Sequence, residues 1–141
     1  MGVDMSVFAS ASHLAAWAGL CPGNNRSANK RRGEPIRKGN VHLQSMLVEA
    51  AAAASTQKGS YFKDKYRRLS ARQGRTRAKV SVAHKILNSV YHVLRSGQRY
   101  KELGADYLDQ LDERLVKNNL VRRLQRLGYT VTAEKQAVQA A

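Results

Sequence analysis

One stretch fixes the frame of the chain. Between residues 77 and 96, Val80, Ala83, Leu87, Val90, Tyr91 and Leu94 recur at spacings of three and four. That spacing draws one apolar stripe along a helix. Gly97 follows it and supplies a C-cap. A helix of that length is the surface on which shorter helices can pack, so the chain reads as all-α with this helix at its centre.

Shorter helical patterns flank it. Ser10 or Ser12 caps a helix running to about Ala18, with Leu14, Ala15, Trp17 and Ala18 offered for burial and Trp17 as a core anchor. Asn40 caps a second, in which Leu43, Met46, Leu47, Ala50, Ala51 and Ala54 share one face. Gly59 breaks the chain. Residues 60–73 then turn Tyr61, Phe62, Tyr66 and Leu69 inward and Lys63, Lys65, Arg67, Arg68 and Arg72 outward, and Gly74 closes them. A short GRTR segment leads into the central helix. From Asp112 a last helix runs to about Leu127, lined by Val116, Leu120, Leu124 and Leu127, and Gly128 stops it. Residues 129–132 read as a short extended piece. The expected fold is a small bundle of about five helices with a basic loop between the first two. Residues 1–132 form one domain and residues 133–141 a disordered tail.

That loop, residues 19–40, reads GLCPGNNRSANKRRGEPIRKGN. It holds both prolines and four of the ten glycines, too many breakers for a regular helix. Arg26, Lys30, Arg31, Arg32, Arg37 and Lys38 are opposed there only by Glu34, and Ser27 stands among them. Charge in the whole chain points the same way. Lys and Arg number 25 against 10 Asp and Glu, a formal net charge of +15. Such an excess repels itself unless a polyanion screens it, and nucleic acid is the expected partner. No stretch resembles an amphipathic membrane anchor or a membrane span, so no membrane partner is expected. The single cysteine excludes an intrachain disulfide and a cysteine-based zinc site. No secretion signal stands at the start, and a cytoplasmic, reducing setting is the expectation.

Read by chemistry alone, the loop is suited to gripping a phosphodiester. Its arginines can neutralise a phosphate and stabilise charge building on it. Ser27 is the candidate nucleophile, but serine needs activation and no base stands near it in sequence. An ordinary loop serine is the stronger reading on those grounds. The N-terminus of the helix after Gly39 is a further place for a phosphate. His13, His42, His84 and His92 make no metal pattern. Asp106, Asp109 and Glu113 could share a face, but negative charge near a helix start and close to arginines is the stronger reading. Cys21, between Leu20 and Pro22, reads as a small packed residue. Basic residues on the helical faces are read as half or more solvated.

The residues carry a more specific likeness. DMSVFASASHLAAWAGLCPGNNRSANKRRGEPIRKGNVHLQSMLVEAA resembles the C-terminal domain of a family of bacterial insertion-sequence transposases, serine-recombinase-like enzymes with an N-terminal RuvC-like, DEDD-type domain and a structured bridge RNA. The likeness rests on the LAAWAGL-P segment, a serine followed by a small residue and lysine, and a basic RKGN leading into a helix. It continues through SVAHKILNSVYHVL, YKELGADY and LVRRLQRLGY, over roughly residues 2–132. Membership implies that Ser27 attacks DNA and becomes joined to it. Arg26, Lys30, Arg31, Arg32, Arg37, Lys38 and Asn40 are then the DNA-binding set. It also implies divalent metal, Mg, held by acidic residues of the RuvC-like domain. That domain and its metal ligands precede the point where this chain begins, so the expectation is a truncated copy that binds DNA and does not recombine it unaided. Two departures stand in the loop. Asn29 replaces the family's glycine, and GEPI replaces a more basic stretch before RKGN. Further expected partners are a guide RNA and either a second copy or a complementing transposase subunit. The alternative is a non-enzymatic DNA- or RNA-binding helical protein that uses its basic faces. A second rival is a module that only oligomerises the transposase.

Overall fold

The computed structural model describes residues 2–21, 38–134 and the backbone of residues 26–27 and 30–31. Among the described residues it is helical, with six helices and one two-residue antiparallel pairing. The chain divides into two compact units, Met1–Ala105 and Asp106–Ala141.

In the first unit, α1 spans Ala11–Trp17, α2 Val41–Ala54, α3 Tyr61–Gln73 and α4 Arg75–Ser96. Each start is fixed by a local polar cap where the sequence offers one. Ser10 Oγ accepts from His13 N–H at 3.3 Å, Asn40 Oδ1 from Leu43 N–H at 3.0 Å, and Ser60 Oγ from Lys63 N–H at 3.2 Å. Each removes one of the unsatisfied donors of a helix's first turn.

The 22-residue α4 is the central helix, and α1, α2 and α3 all pack on it. Its Val82, Ala83, Leu87 and Tyr91 are buried against Leu14 and Ala15 of α1, Ala18 just after it, and Leu47 and Ala51 of α2. Met5 and Leu20 close the same core. Full burial of side chains such as Leu14, Val82 and Leu87 stabilises the fold by about 1.5–3 kcal/mol each. The alanines let helix backbones approach.

Three details differ from the sequence reading. Trp17 is 46% exposed, not a core anchor, and lies beside the Phe8 ring with centroids 5.6 Å apart. Leu14 and Ala15, with Ala18 just past the helix, already define the inward face of a seven-residue helix, and Trp17 falls at its rim. On α2 the buried face centres on Leu47 and Ala51, so Met46 is turned outward at 68% exposure. Finally, α4 begins two residues early. Gly74 alone joins it to α3, at φ 85° and ψ 162°, a region that essentially only glycine occupies.

The second unit holds α5, Tyr107–Leu111, and α6, Glu113–Arg126, with Asp112 capping α6 through Leu115 N–H at 3.4 Å. The short α5 was not expected as a separate helix. Leu120, Leu124 and Leu127 are 57%, 41% and 69% exposed, so the apolar face of α6 is legible but not buried. Residues 129–132 carry no strand. No described helix is long and apolar enough to cross a membrane.

Candidate nucleic-acid interface

The basic loop is built from its two ends. At its start α1 finishes in a Schellman turn. Leu20 N–H donates to Ala15 O at 3.0 Å and Gly19 N–H to Ala16 O at 3.0 Å. Leu20 is 2% exposed, in one core with Leu14, so the point where the chain leaves α1 is anchored. At its end Gly39 lies directly on that turn. A Cβ on Gly39 would stand 2.5 Å from Ala18 C and Gly19 N and 2.6 Å from Ala18 O. Backbone meets backbone there, and Asn40 then starts α2. The two ends of the basic loop are therefore held together against the α1–α4 core. Cys21, half-buried, packs against that core.

Within the loop, Arg26 and Ser27 pair antiparallel with Lys30 and Arg31, in the register Arg26↔Arg31 and Ser27↔Lys30. Backbone pairing thus sets Ser27 opposite a lysine position and next to two arginine positions. The sequence pattern reads as an irregular loop here, because two residues are too short a run for periodicity to register. Arg32 and Arg37 lie outside the described residues. Lys38 is exposed beside Gly39. The carboxamide oxygen of Asn40 serves its helix, so any contact with a phosphate falls to its amide N–H groups. His42 and His13 are exposed. His84 is half-buried, and burial, then the neighbouring Lys85 charge, lowers its pKa.

Charge is also organised on α3, in a way the sequence reading missed. Asp64 is buried, 6% exposed, and its two oxygens accept from Arg67 Nη2 at 3.0 Å and Arg68 Nε at 2.6 Å. The spacing i, i+3 and i+4 was visible in DKYRR as a helix-face pair. Burial of the acid was not. The Lys65 ammonium lies 5.6 Å from the centroid of the Tyr61 ring.

The other end of α3 is held by a distant residue. Glu102 Oε1 accepts from Tyr61 N–H at 2.7 Å and Gly104 N–H at 3.2 Å, and Oε2 accepts from Tyr100 O–H at 3.2 Å. Burial raises the Glu102 pKa, but these bonds and the Leu103 N–H outweigh it and hold the carboxyl below the usual range. The Tyr100 phenol is pushed up to about 12, first by burial and then by the Glu102 charge, so it stays a donor. A carboxylate whose pKa falls on folding stabilises the fold above its unfolded pKa. That contribution is lost as pH falls through the folded value. Wild type should therefore exceed Glu102→Gln in urea stability at pH 7. The gap should start to close below the ordinary glutamate pKa of about 4.3 and vanish at lower pH. A gap independent of pH would show that the charge of Glu102 is not what holds α3.

Among the described residues no group of three or more His, Cys, Asp or Glu is placed to hold a metal ion, and Asp106, Asp109 and Glu113 make none.

Comparison with known proteins bears on the half of the chain that carries the loop. Residues 1–67 match the model of the transposase IS116/IS110/IS902 family. The matched span contains α1, the whole basic loop, α2 and the first turns of α3. It supports a transposase role for this chain. No curated protein and no solved structure gives a significant match.

Proposed function

We propose that this chain is the DNA-handling part of a transposase and that Ser27 is its nucleophile. The observation that carries this reading is the family match over residues 1–67, which places the serine-bearing loop inside the transposase-like span. The closed loop base at Gly39 supports it, because a strand-exchange nucleophile needs a fixed position rather than a tether. In the reaction Ser27 Oγ attacks a DNA phosphorus. An O–P bond to the serine forms, the bond to a deoxyribose oxygen breaks, and that oxygen leaves as a hydroxyl. Reversal by a hydroxyl from another strand reseals DNA in a new order. Arg26, Lys30, Arg31, Arg32, Arg37 and Lys38, with the amide of Asn40, bind the flanking phosphates and offset charge on the phosphorus in flight.

Divalent metal, Mg, belongs in this reading to a separate RuvC-like domain. The residues described here do not form a site for it, and no step above runs through it. A structured guide RNA and a second transposase copy are the further partners.

The test is a covalent trap. The chain, supplied together with a RuvC-like transposase domain and Mg, is incubated with end-labelled duplex DNA and run under denaturing conditions. Wild type should carry label. Ser27→Ala should carry none while binding the same DNA with unchanged affinity. Label retained by Ser27→Ala would remove Ser27 from the role. A second reading, binding without chemistry, is favoured by the charge on α3. It predicts no label on either protein and a steep salt dependence of binding.

A further inference from the structure

The loop accounts for only part of the positive charge. Helix α3 carries Lys63, Lys65, Arg67, Arg68 and Arg72 against Asp64 alone, five cations and one anion for a net +4 over 13 residues. Three of these, Lys65, Arg68 and Arg72, stand at i, i+3 and i+7, one stripe about 10 Å long on a helix rising 1.5 Å per residue. Tyr61, four residues before Lys65, begins the same stripe.

Two of its three cations are held in place. Asp64, buried, grips the Nε of Arg68 and fixes where that guanidinium leaves the helix. Lys65 is half-buried with its ammonium beside the Tyr61 ring. The helix itself is capped at Ser60 and stopped at Gly74. The row also works against itself. The Lys65 pKa is lowered first by burial and then by the Arg72 and Arg68 charges, so both arginines work against the charged form of Lys65. A fold that holds like charges together at a cost is relieved when an anion joins them. The stripe offers no row of large apolar side chains to enter a bilayer. Because it is straight and rigid, it fits a stiff backbone better than a flexible single strand.

We infer that Lys65, Arg68 and Arg72 form a second phosphate-binding surface, separate from the loop, that lies along the backbone of double-stranded DNA. It rests on the reading of the chain as a DNA-handling protein and adds to it the place where the duplex outside the reacting site is held. Contacts of this kind position DNA and carry no sequence information.

The experiment measures binding of the whole chain to a fluorescent 30-base-pair duplex of mixed sequence by anisotropy, between about 50 and 200 mM salt. Each phosphate contact contributes about −0.9 to the slope of log K against log salt. The triple variant Lys65→Gln, Arg68→Gln, Arg72→Gln should flatten the slope by about 2.7. Losing Arg68 also breaks the Asp64 pair, so a double variant, Lys65→Gln with Arg72→Gln, guards against misfolding. It should melt like wild type by circular dichroism and flatten the slope by about 1.8. An unchanged slope in the folded double variant overturns the inference. So does tighter, equally sensitive binding to a single strand of the same length, or binding of polyglutamate, with no DNA bound, that the variants abolish. Ser27→Ala should leave the slope alone. A labelled Ser27→Ala protein with a slope still sensitive to the stripe would sink the nucleophile and spare this surface. The opposite pattern would sink only the surface.

Discussion

Gly39→Ala should lower the stability of the first unit by about 3 kcal/mol or more, the upper end of what overpacking usually costs. The added Cβ would meet Ala18 C and Gly19 N at 2.5 Å and Ala18 O at 2.6 Å. All three are backbone atoms, so no side chain can swing aside. Either α1 and α2 part at the base of the loop or the Schellman turn of α1 is pulled out of shape. Gly59→Ala is the matched control. Gly59 has φ 71° but nothing within 4 Å of the added Cβ, so it should cost only the left-handed backbone penalty of about 1–2 kcal/mol. Urea unfolding separates the two. If Gly39→Ala costs less than Gly59→Ala, the loop ends are not in contact and the fixed base goes with them. The functional expectation follows from the same contact. With the base parted, the loop that carries the proposed nucleophile Ser27 loses its closed base, and on that proposal covalent trapping should fall even where the protein remains folded.

How the ends of that loop meet was not legible in the sequence. Gly39 stood there as part of RKGN and as a prelude to a helix N-terminus. Nothing in the local pattern says that its missing Cβ makes room for Ala18, 21 residues earlier. The features that were legible are those set by neighbours in the chain. Ser10, Asn40, Ser60 and Asp112 cap helices as their residue types require, and α4 buries Ala83, Leu87 and Tyr91 of its expected stripe, with Ala78 and Val82 beside them. The features that were not legible depend on distant packing. Trp17 and Met46 are apolar and looked inward, yet Leu14 and Leu47 took the inward positions beside them. Asp64 stands among cations on α3 and is buried, which its sequence neighbours do not reveal. Glu102 reaches α3 across 41 positions of sequence. The family likeness stated from the sequence ran to about residue 132, and the match spans residues 1–67. The loop sits inside both.

Tyr91→Ala should destabilise the protein by about 3–5 kcal/mol, as large-to-small changes at buried aromatic positions do. Tyr91 is the largest fully buried side chain among the described residues, 2% exposed, and stands on α4 at the core shared with α1. Two effects combine there, and a second substitution separates them. The ring fills volume that neighbours cannot reclaim without moving α4. The hydroxyl donates to Phe8 O at 3.1 Å and accepts from Arg95 Nη1, tying the segment before α1 to the last turn of α4. Tyr91→Phe keeps the ring and removes only that link, so it should cost about 1 kcal/mol. The difference, about 2–4 kcal/mol, then belongs to the ring. Against a total stability of about 5–15 kcal/mol, the alanine variant should be partly unfolded near physiological temperature and the phenylalanine variant should not. Urea midpoints with unchanged slopes would give both values. Equal losses for the two variants would place the energy in the hydroxyl link instead. The core of α1 and α4 would then be loosely packed, and the loop that springs from α1 would lack the rigid footing that the proposed role of Ser27 requires.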